Sequence, residues 1–373
     1  AAVVSRRRSK LGLGLALLAM LAGAMGCGAP AGPAATAEGL ASQTKTTAVP
    51  RGDRMLGIDV SEAKGETYDQ AFQLARQAGM QFTSLSLAWD DLEPRPGEFS
   101  DDPNFLAIAN LYYPAQHIPL ALTITPIDTN RTRLPADLQA RAFDDPEVIA
   151  RFERLLDYVF MQIPDVELAV LAIGNEVDAT LGSDVAAWAR YQTFFEATAA
   201  YARRLRPQVP VGVKVTMAGL TGETRWLAQA LNARSDIVLV TYYPLQADFG
   251  VRPADVVHED LAALASLVPD RPIGVLEAGY PSSEKLGSSQ ALQAEFVQQI
   301  FHAWDAQAGQ IAMLNFTWLT DAPRASVEAW TDYYGLHDPR FAAYLATLGL
   351  RGADGEPKPA FEALAAEAHA RGW

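Results

Sequence analysis

VELAVLAIGNEVDATLG, residues 166–182, decides the fold. Its first half is a run of Val, Leu, Ala and Ile that belongs in a dry core. The run ends abruptly in Asn175-Glu176, an amide and a carboxylate side by side. An apolar run of this length, bounded by polar turn residues, reads as a strand buried on both faces, as in a parallel sheet. A carboxylate placed where such a strand ends sits at the mouth of the sheet, where reactive side chains collect in barrel folds.

The same pattern recurs on either side. Strands are expected at 55–61, 82–89 and 118–125, then at 166–175, 210–217, 236–243, 271–279 and 310–318. Segments of helical period lie between them. Asp145-Pro146-Glu147 supplies an N-cap, a proline at the first helical position and an acid in the first turn. Ile149, Phe152, Leu155, Leu156 and Val159 then share a face. Ser183 opens a segment carrying Trp188, Tyr191, Phe195 and Ala199, Ser289 opens another, and Pro359 begins a last helix. Eight strands interleaved with helices imply an α/β protein, a (β/α)8 TIM barrel over residues 54–373. A doubly wound open sheet is the alternative, but GIDVSEAKGET after the first strand is not the glycine-rich fingerprint such a sheet would carry.

Three strands beyond Glu176, RPIGVLEAGYPSS places Glu277 at the equivalent strand end. Two carboxylates facing each other across one barrel mouth are what glycosidic bond cleavage requires. One donates a proton to the departing oxygen and the other attacks the anomeric carbon. On these residues the chain resembles the clan-A glycoside hydrolases, retaining enzymes on the (β/α)8 fold. The resemblance implies Glu176 as acid/base, Asn175 as ligand of the sugar 2-hydroxyl and Glu277 as nucleophile. TYYP at 241–244 is similar to the sixth-strand segment of the family 53 endo-galactanases. In the clan a tyrosine there bonds the nucleophile, and alternation favours Tyr243 over Tyr242. Trp318 matches the aromatic floor under the cleaved sugar. WDDLEPRPGEFS (89–100) resembles the loop after strand two, with Trp89 as a second candidate sugar platform and a core role as its alternative. GLRGADGEPKPAFEAL (349–364) resembles the clan's C-terminal ending. One element of the pattern is missing: FTSLSLAW offers no arginine late in strand two to support the nucleophile. Arg131 or Arg133, after strand three, is the expected substitute. Asp178 and Asp321 are loop residues expected to face solvent, with lining of the sugar cleft as the alternative.

Composition excludes other classes. The 373 residues are 49% hydrophobic with a formal net charge of −14, which gives no basic surface for nucleic acid. The five histidines show no metal-ligand spacing, and neither a metal nor an organic cofactor is implied. The partner is a carbohydrate substrate, and the domain is expected to be a monomer. RRRSK followed by LGLGLALLAMLAGAMG and Cys27 reads as a secretory signal, with Ala24-Met25-Gly26-Cys27 resembling a bacterial lipobox. Residues 1–27 are therefore the expected signal, with Cys27 as lipidation site and the only membrane attachment. Residues 28–53, rich in Ala, Gly, Pro and Thr, are the expected tether. An exported or cell-envelope retaining glycosidase is the first reading. A carbohydrate-binding lipoprotein on a disarmed barrel, motivated by the missing arginine, and a transglycosylase on the same site are its rivals.

Overall fold

A computed structural model of the chain describes residues 48–99 and 103–373. Eight strands line one barrel: β1 (Met55–Ile58), β2 (Thr83–Ala88), β3 (Leu120–Asp128), β4 (Leu168–Asn175), β5 (Val211–Gly212 and Lys214–Thr216), β6 (Val238–Tyr242), β7 (Ile273–Ala278) and β8 (Ile311–Phe316). Every neighbouring pair is parallel. β1 lies on β8, then β7, β6 and β5 follow in turn. From the other side β5 lies on β4, β4 on β3 and β3 on β2. The circle closes through the parallel bridge Gly57↔Phe82 between β1 and β2. Gly57 is required at that seam, because a Cβ there would lie 2.5 Å from the Phe82 ring. An open doubly wound sheet has two free edges, and this sheet has none.

Alternation sorts the strands into two environments. Outward side chains such as Val211, Val213, Val215, Val238 and Val240 join the main core beneath the helices. Inward ones stack in layers. Phe82, Ala121, Val170, Leu239, Leu276 and Met313 fill the lower barrel. Above them the layer turns polar, with Asp59, Lys214, Thr241, Glu277 and Asn315.

Helices alternate with the strands: α1 (Tyr68–Gln77), α2 (Phe105–Gln116), α3 (Pro146–Gln162), α4 (Val185–Leu205), α5 (Arg225–Asn232), α6 (Val257–Leu267), α7 (Gln290–Ala306) and α8 (Pro359–Arg371). Their starts are chemically marked. Thr67 and Gln70 form a capping box at α1, Asp145 caps α3 ahead of Pro146, and Ser289 caps α7. At α4 the cap is Asp184, one residue after the expected Ser183, and it accepts from both Ala186 and Ala187. A helical hairpin, Arg324–Tyr334 and Pro339–Ala346, follows β8. It encloses its own apolar cluster, with Trp318, Val327, Tyr334, Phe341, Tyr344 and Leu348.

The body begins before residue 54. Residues 48–53, expected as the end of the tether, are tied to it: Val49 N–H donates to Asp305 and Arg51 N–H to the Arg371 carbonyl. Arg54 lies against the rings of Trp304 and Trp373, which stack on each other with centroids 4.9 Å apart, and both Arg54 and Arg371 pair with Asp305. Cys27 and the signal-like stretch lie outside the described residues. Among the described residues no helix is long and apolar enough to cross a membrane.

Candidate active site

The polar layer meets the loops at the C-terminal strand ends. Gly174, at φ +94°, turns the end of β4, where a Cβ would strike the Tyr191 hydroxyl at 2.2 Å. Asn175 follows, and Glu176 takes the left-handed backbone (φ 45°, ψ 46°) as it caps the short helix Val177–Leu181. This conformation is uncommon for a residue with a side chain, and it delivers the carboxylate to the barrel mouth. Glu176 is 0% exposed and Glu277 is 4% exposed.

The two acids share one site. Thr241 Oγ1 donates to Glu176 Oε1 at 2.6 Å, and Thr241 is the register partner of Glu277 on the adjacent strand. Neighbouring strands run about 4.8 Å apart, so the carboxyls converge on one small volume. Thr129 Oγ1 donates to Glu176 Oε2 at 2.8 Å. Glu277 receives Lys214 Nζ on Oε1 at 2.7 Å and the Tyr243 hydroxyl on Oε2 at 3.1 Å. Lys214 and Glu277 are both buried, with side chains 5% and 6% exposed.

These surroundings separate the two acids electrostatically. Burial, then the charge of Glu277, hold Glu176 well above the ordinary carboxylate range, against the hydroxyls of Thr241 and Thr129. Burial also raises Glu277, up to about 7, and the Lys214 ammonium and Tyr243 hydroxyl restrain the rise. Of the pair, Glu277 is the one that ionises first, because the cation is aimed at it.

Asn175 donates its amide to Asp128 Oδ1 at 3.0 Å, while its Oδ1, also buried, has no protein partner. Asp128 accepts from Tyr333 as well, at 2.7 Å. Asp59, partly exposed at the end of β1, is held by Ser84, Asn315 and Thr317. Burial raises the pKa of Asp59. Asn315 Oδ1, Ser86 Oγ and Trp318 Nε1 are further buried polar atoms without a protein partner. Trp318 lies 3% exposed against Trp330, ring centroids 5.0 Å apart. Tyr242 points away from the site and donates to Asp260. Among the described residues no cluster of three or more His, Cys, Asp or Glu is placed to hold a metal ion.

Several expectations need correction. Trp89 is not a sugar platform: it is 0% exposed, edge-on to Phe152 and stacked on Phe194, with Nε1 donating to Glu93. Neither Arg131 nor Arg133 reaches Glu277. Arg131 lies over the Tyr333 ring, and Arg133 binds Asp90, Asp91 and the Tyr333 hydroxyl. Asp178 is buried and accepts from the Thr216 backbone and hydroxyl, tying the loop after β4 to β5. Asp321 pairs with Lys358 at 2.8 Å. Lys214, Thr129, Thr241, Asp128 and Asp59 belong to the site without a motif that marks them in the sequence. The signal that could have found Lys214, Thr241 and Asp59 is the two-residue alternation that singles out Tyr243.

No family model matches the chain, and no curated protein does. Solved structures do. An exo-β-1,4-mannosidase from Opitutaceae bacterium strain TAV5 superposes with a TM-score of 0.66 at 16% identity, over 85% of this chain and 59% of that one. The chain thus spans under two thirds of the mannosidase's length. A GH5_18 protein from Streptomyces cattleya, solved with Manβ1-4GlcNAc, gives 0.66 at 16% identity over 85% and 80% of the two chains. A family 39 glycoside hydrolase from Bacteroides cellulosilyticus gives 0.60 at 16% identity over 86% and 64%. At such identities the likeness establishes the fold, and the fold is the (β/α)8 barrel.

Proposed function

We propose that the chain is an O-glycoside hydrolase that cleaves a β-linked saccharide with retention, through Glu277 as nucleophile and Glu176 as acid/base. The observation that carries this reading is the Thr241 hydrogen bond. It ties the Glu176 carboxyl to the register partner of Glu277, so the two acids approach one anomeric centre from adjacent positions, as a retaining pair must. In the first step a Glu277 oxygen bonds to the anomeric carbon as the glycosidic C–O bond breaks, and the Glu176 proton passes to the leaving oxygen. In the second, Glu176 takes a proton from water, whose oxygen displaces Glu277 and regenerates both groups.

The environments support this division of labour. Burial and the neighbouring charge of Glu277 favour the protonated form of Glu176, whereas Glu277 faces the ammonium of Lys214 and the hydroxyl of Tyr243. The buried polar atoms without protein partners, Asn175 Oδ1, Asn315 Oδ1, Ser86 Oγ and Trp318 Nε1, suit a ligand dense in hydroxyls. Two of the structural neighbours carry glycosidase names, a mannosidase and a family 39 hydrolase, which supports the same class.

The test is trapping with 2-deoxy-2-fluoro β-mannoside, β-glucoside and β-galactoside bearing activated leaving groups. The expected result is a mass increase of one fluorosugar on the peptide holding Glu277, absent in Glu277→Gln. Saccharide binding with neither adduct nor turnover across a glycan panel would instead leave a carbohydrate-binding barrel. The N-terminal motif extends the reading to export with lipid attached at Cys27. Incorporation of labelled fatty acid into the wild type but not Cys27→Ala would support it.

A further inference from the structure

We propose that Lys214 is the positioning cation of this site: from β5 it holds Glu277 ionised and oriented toward the anomeric carbon, in place of an arginine on β2. The inference rests on the glycosidase reading for its chemistry, but its geometry stands apart from it. Lys214 Nζ lies 2.7 Å from Glu277 Oε1 with both side chains almost fully buried. An ammonium taken out of water costs several kcal/mol unless a charge and hydrogen bonds compensate it, so a lysine is not placed here as filler. The strand explains how it arrives. Val211, Val213 and Val215 face the outer core, and Gly212 and Lys214 face the barrel axis. Beneath the lysine Gly212 admits no side chain, since a Cβ there would meet the Ile237 carbonyl at 2.5 Å.

The charged and titratable groups around Glu277 come from five directions. Asp59 faces it from β1, Glu176 from the end of β4, Lys214 from β5, Tyr243 from the end of β6, and Tyr334 and Tyr344 from the helical hairpin. Lys214 is the only cation among them. Without it Glu277 would face the carboxyls of Asp59 and Glu176 with the Tyr243 hydroxyl as its remaining donor, and its pKa would rise further. In the glycosyl-enzyme the same ammonium remains beside the ester, and it stabilises the carboxylate that departs when water attacks. Asp59 then remains to balance the lysine charge.

The decisive experiment titrates Glu277 directly, by infrared spectroscopy of 13C-labelled glutamate with Glu277→Gln as the subtraction. Lys214→Met should move the Glu277 titration upward by at least one pH unit, and Lys214→Arg should return most of the shift. On an aryl β-glycoside that the wild type hydrolyses, the acid limb of kcat/KM should move by the same amount. Tenfold or greater loss of rate below the limb would then accompany partial recovery above it. An unshifted titration in a folded Lys214→Met protein overturns the proposal, as does a rate loss uniform across pH. If Lys214→Met does not fold, Lys214→Gln takes its place, with the same two outcomes. A wild type that forms no fluorosugar adduct and turns over nothing would refute the glycosidase reading, and the infrared titration would still decide the role of Lys214.

Discussion

At the scale of single residues, two glutamates of identical chemistry are made different by what touches them. Glu176 keeps a proton because it is buried beside the charge of Glu277, against the pull of two threonine hydroxyls, and Glu277 gives its proton up first because an ammonium is aimed at it. This asymmetry has a kinetic signature. Glu176→Ala should lose about 10²–10⁴-fold in hydrolysis of alkyl or saccharide leaving groups, which need protonation, and far less with dinitrophenyl leaving groups. Azide should restore turnover in that variant and yield a glycosyl azide of retained configuration. Product analysis showing no azide adduct, or an equal loss on all leaving groups, would contradict the acid/base assignment. Both glutamates are legible in the sequence because a carboxylate ending an apolar run has no packing explanation. Lys214 is not, because KVT inside a valine-rich strand reads like any strand with one polar position. Only counting inward from Gly212 shows which face it takes. Trp89 misleads for the opposite reason: it stands one residue past β2, where the backbone turns helical and strand alternation no longer says where a ring points.

At the scale of elements, the eight strands can be read because buried parallel strands are nearly continuous apolar runs. The hairpin after β8 is harder to read, although its marks are present. Gly335 ends the first helix in the left-handed conformation, and Asp338-Pro339 caps and opens the second. What the sequence does not encode locally is where the hairpin lies. It is held over the carboxylates by contacts remote along the chain: Tyr333 to Asp128, Asn130 to the Tyr334 carbonyl, and Arg340 to the Asp248 and Lys285 carbonyls. Tyr333 is the central fastening, because its hydroxyl also receives Arg133 Nη1 at 2.8 Å. Tyr333→Phe removes both bonds and leaves an oxygen of the buried Asp128 without its donor. A destabilisation of about 1–3 kcal/mol is expected in urea unfolding, with the slope unchanged. A change below about 0.5 kcal/mol would mean that the hairpin is held by its apolar cluster alone.

At the scale of the whole molecule, the site should leave its mark on how stability depends on pH. Burial raises the pKa of Glu176, Glu277, Asp59, Asp128 and Asp178 alike. Such a group binds its proton in the folded chain at pH values where the unfolded chain has released it. Its contribution to stability is complete below the unfolded carboxylate range, near 4, and is lost as pH rises through the folded value, about 7 for Glu277. Other acids act in reverse. Arg351 holds Glu66 below the ordinary range, and at Asp305 burial is outweighed by donors from Arg371, Val49 and Arg54. Their contribution is present above the unfolded range and lost as pH falls through their folded values. The two sets together place maximal stability near pH 4, about the unfolded carboxylate range, with a decline above it that belongs to the candidate site. Glu176→Gln, neutral at every pH and able to accept from one threonine hydroxyl while donating to the other, should flatten that decline. For a single carboxyl the gain is about 1.4 kcal/mol for each pH unit passed between its unfolded and its folded pKa, with nothing added above the folded value. Thermal melts from pH 4 to 9 would show Tm of the variant close to wild type at pH 5 and above it at pH 8. An identical difference at both pH values would mean that Glu176 is not the group that titrates on folding. A wild type most stable above pH 8 would mean that the buried carboxylates of the barrel mouth are ionised together at little cost, which their burial argues against.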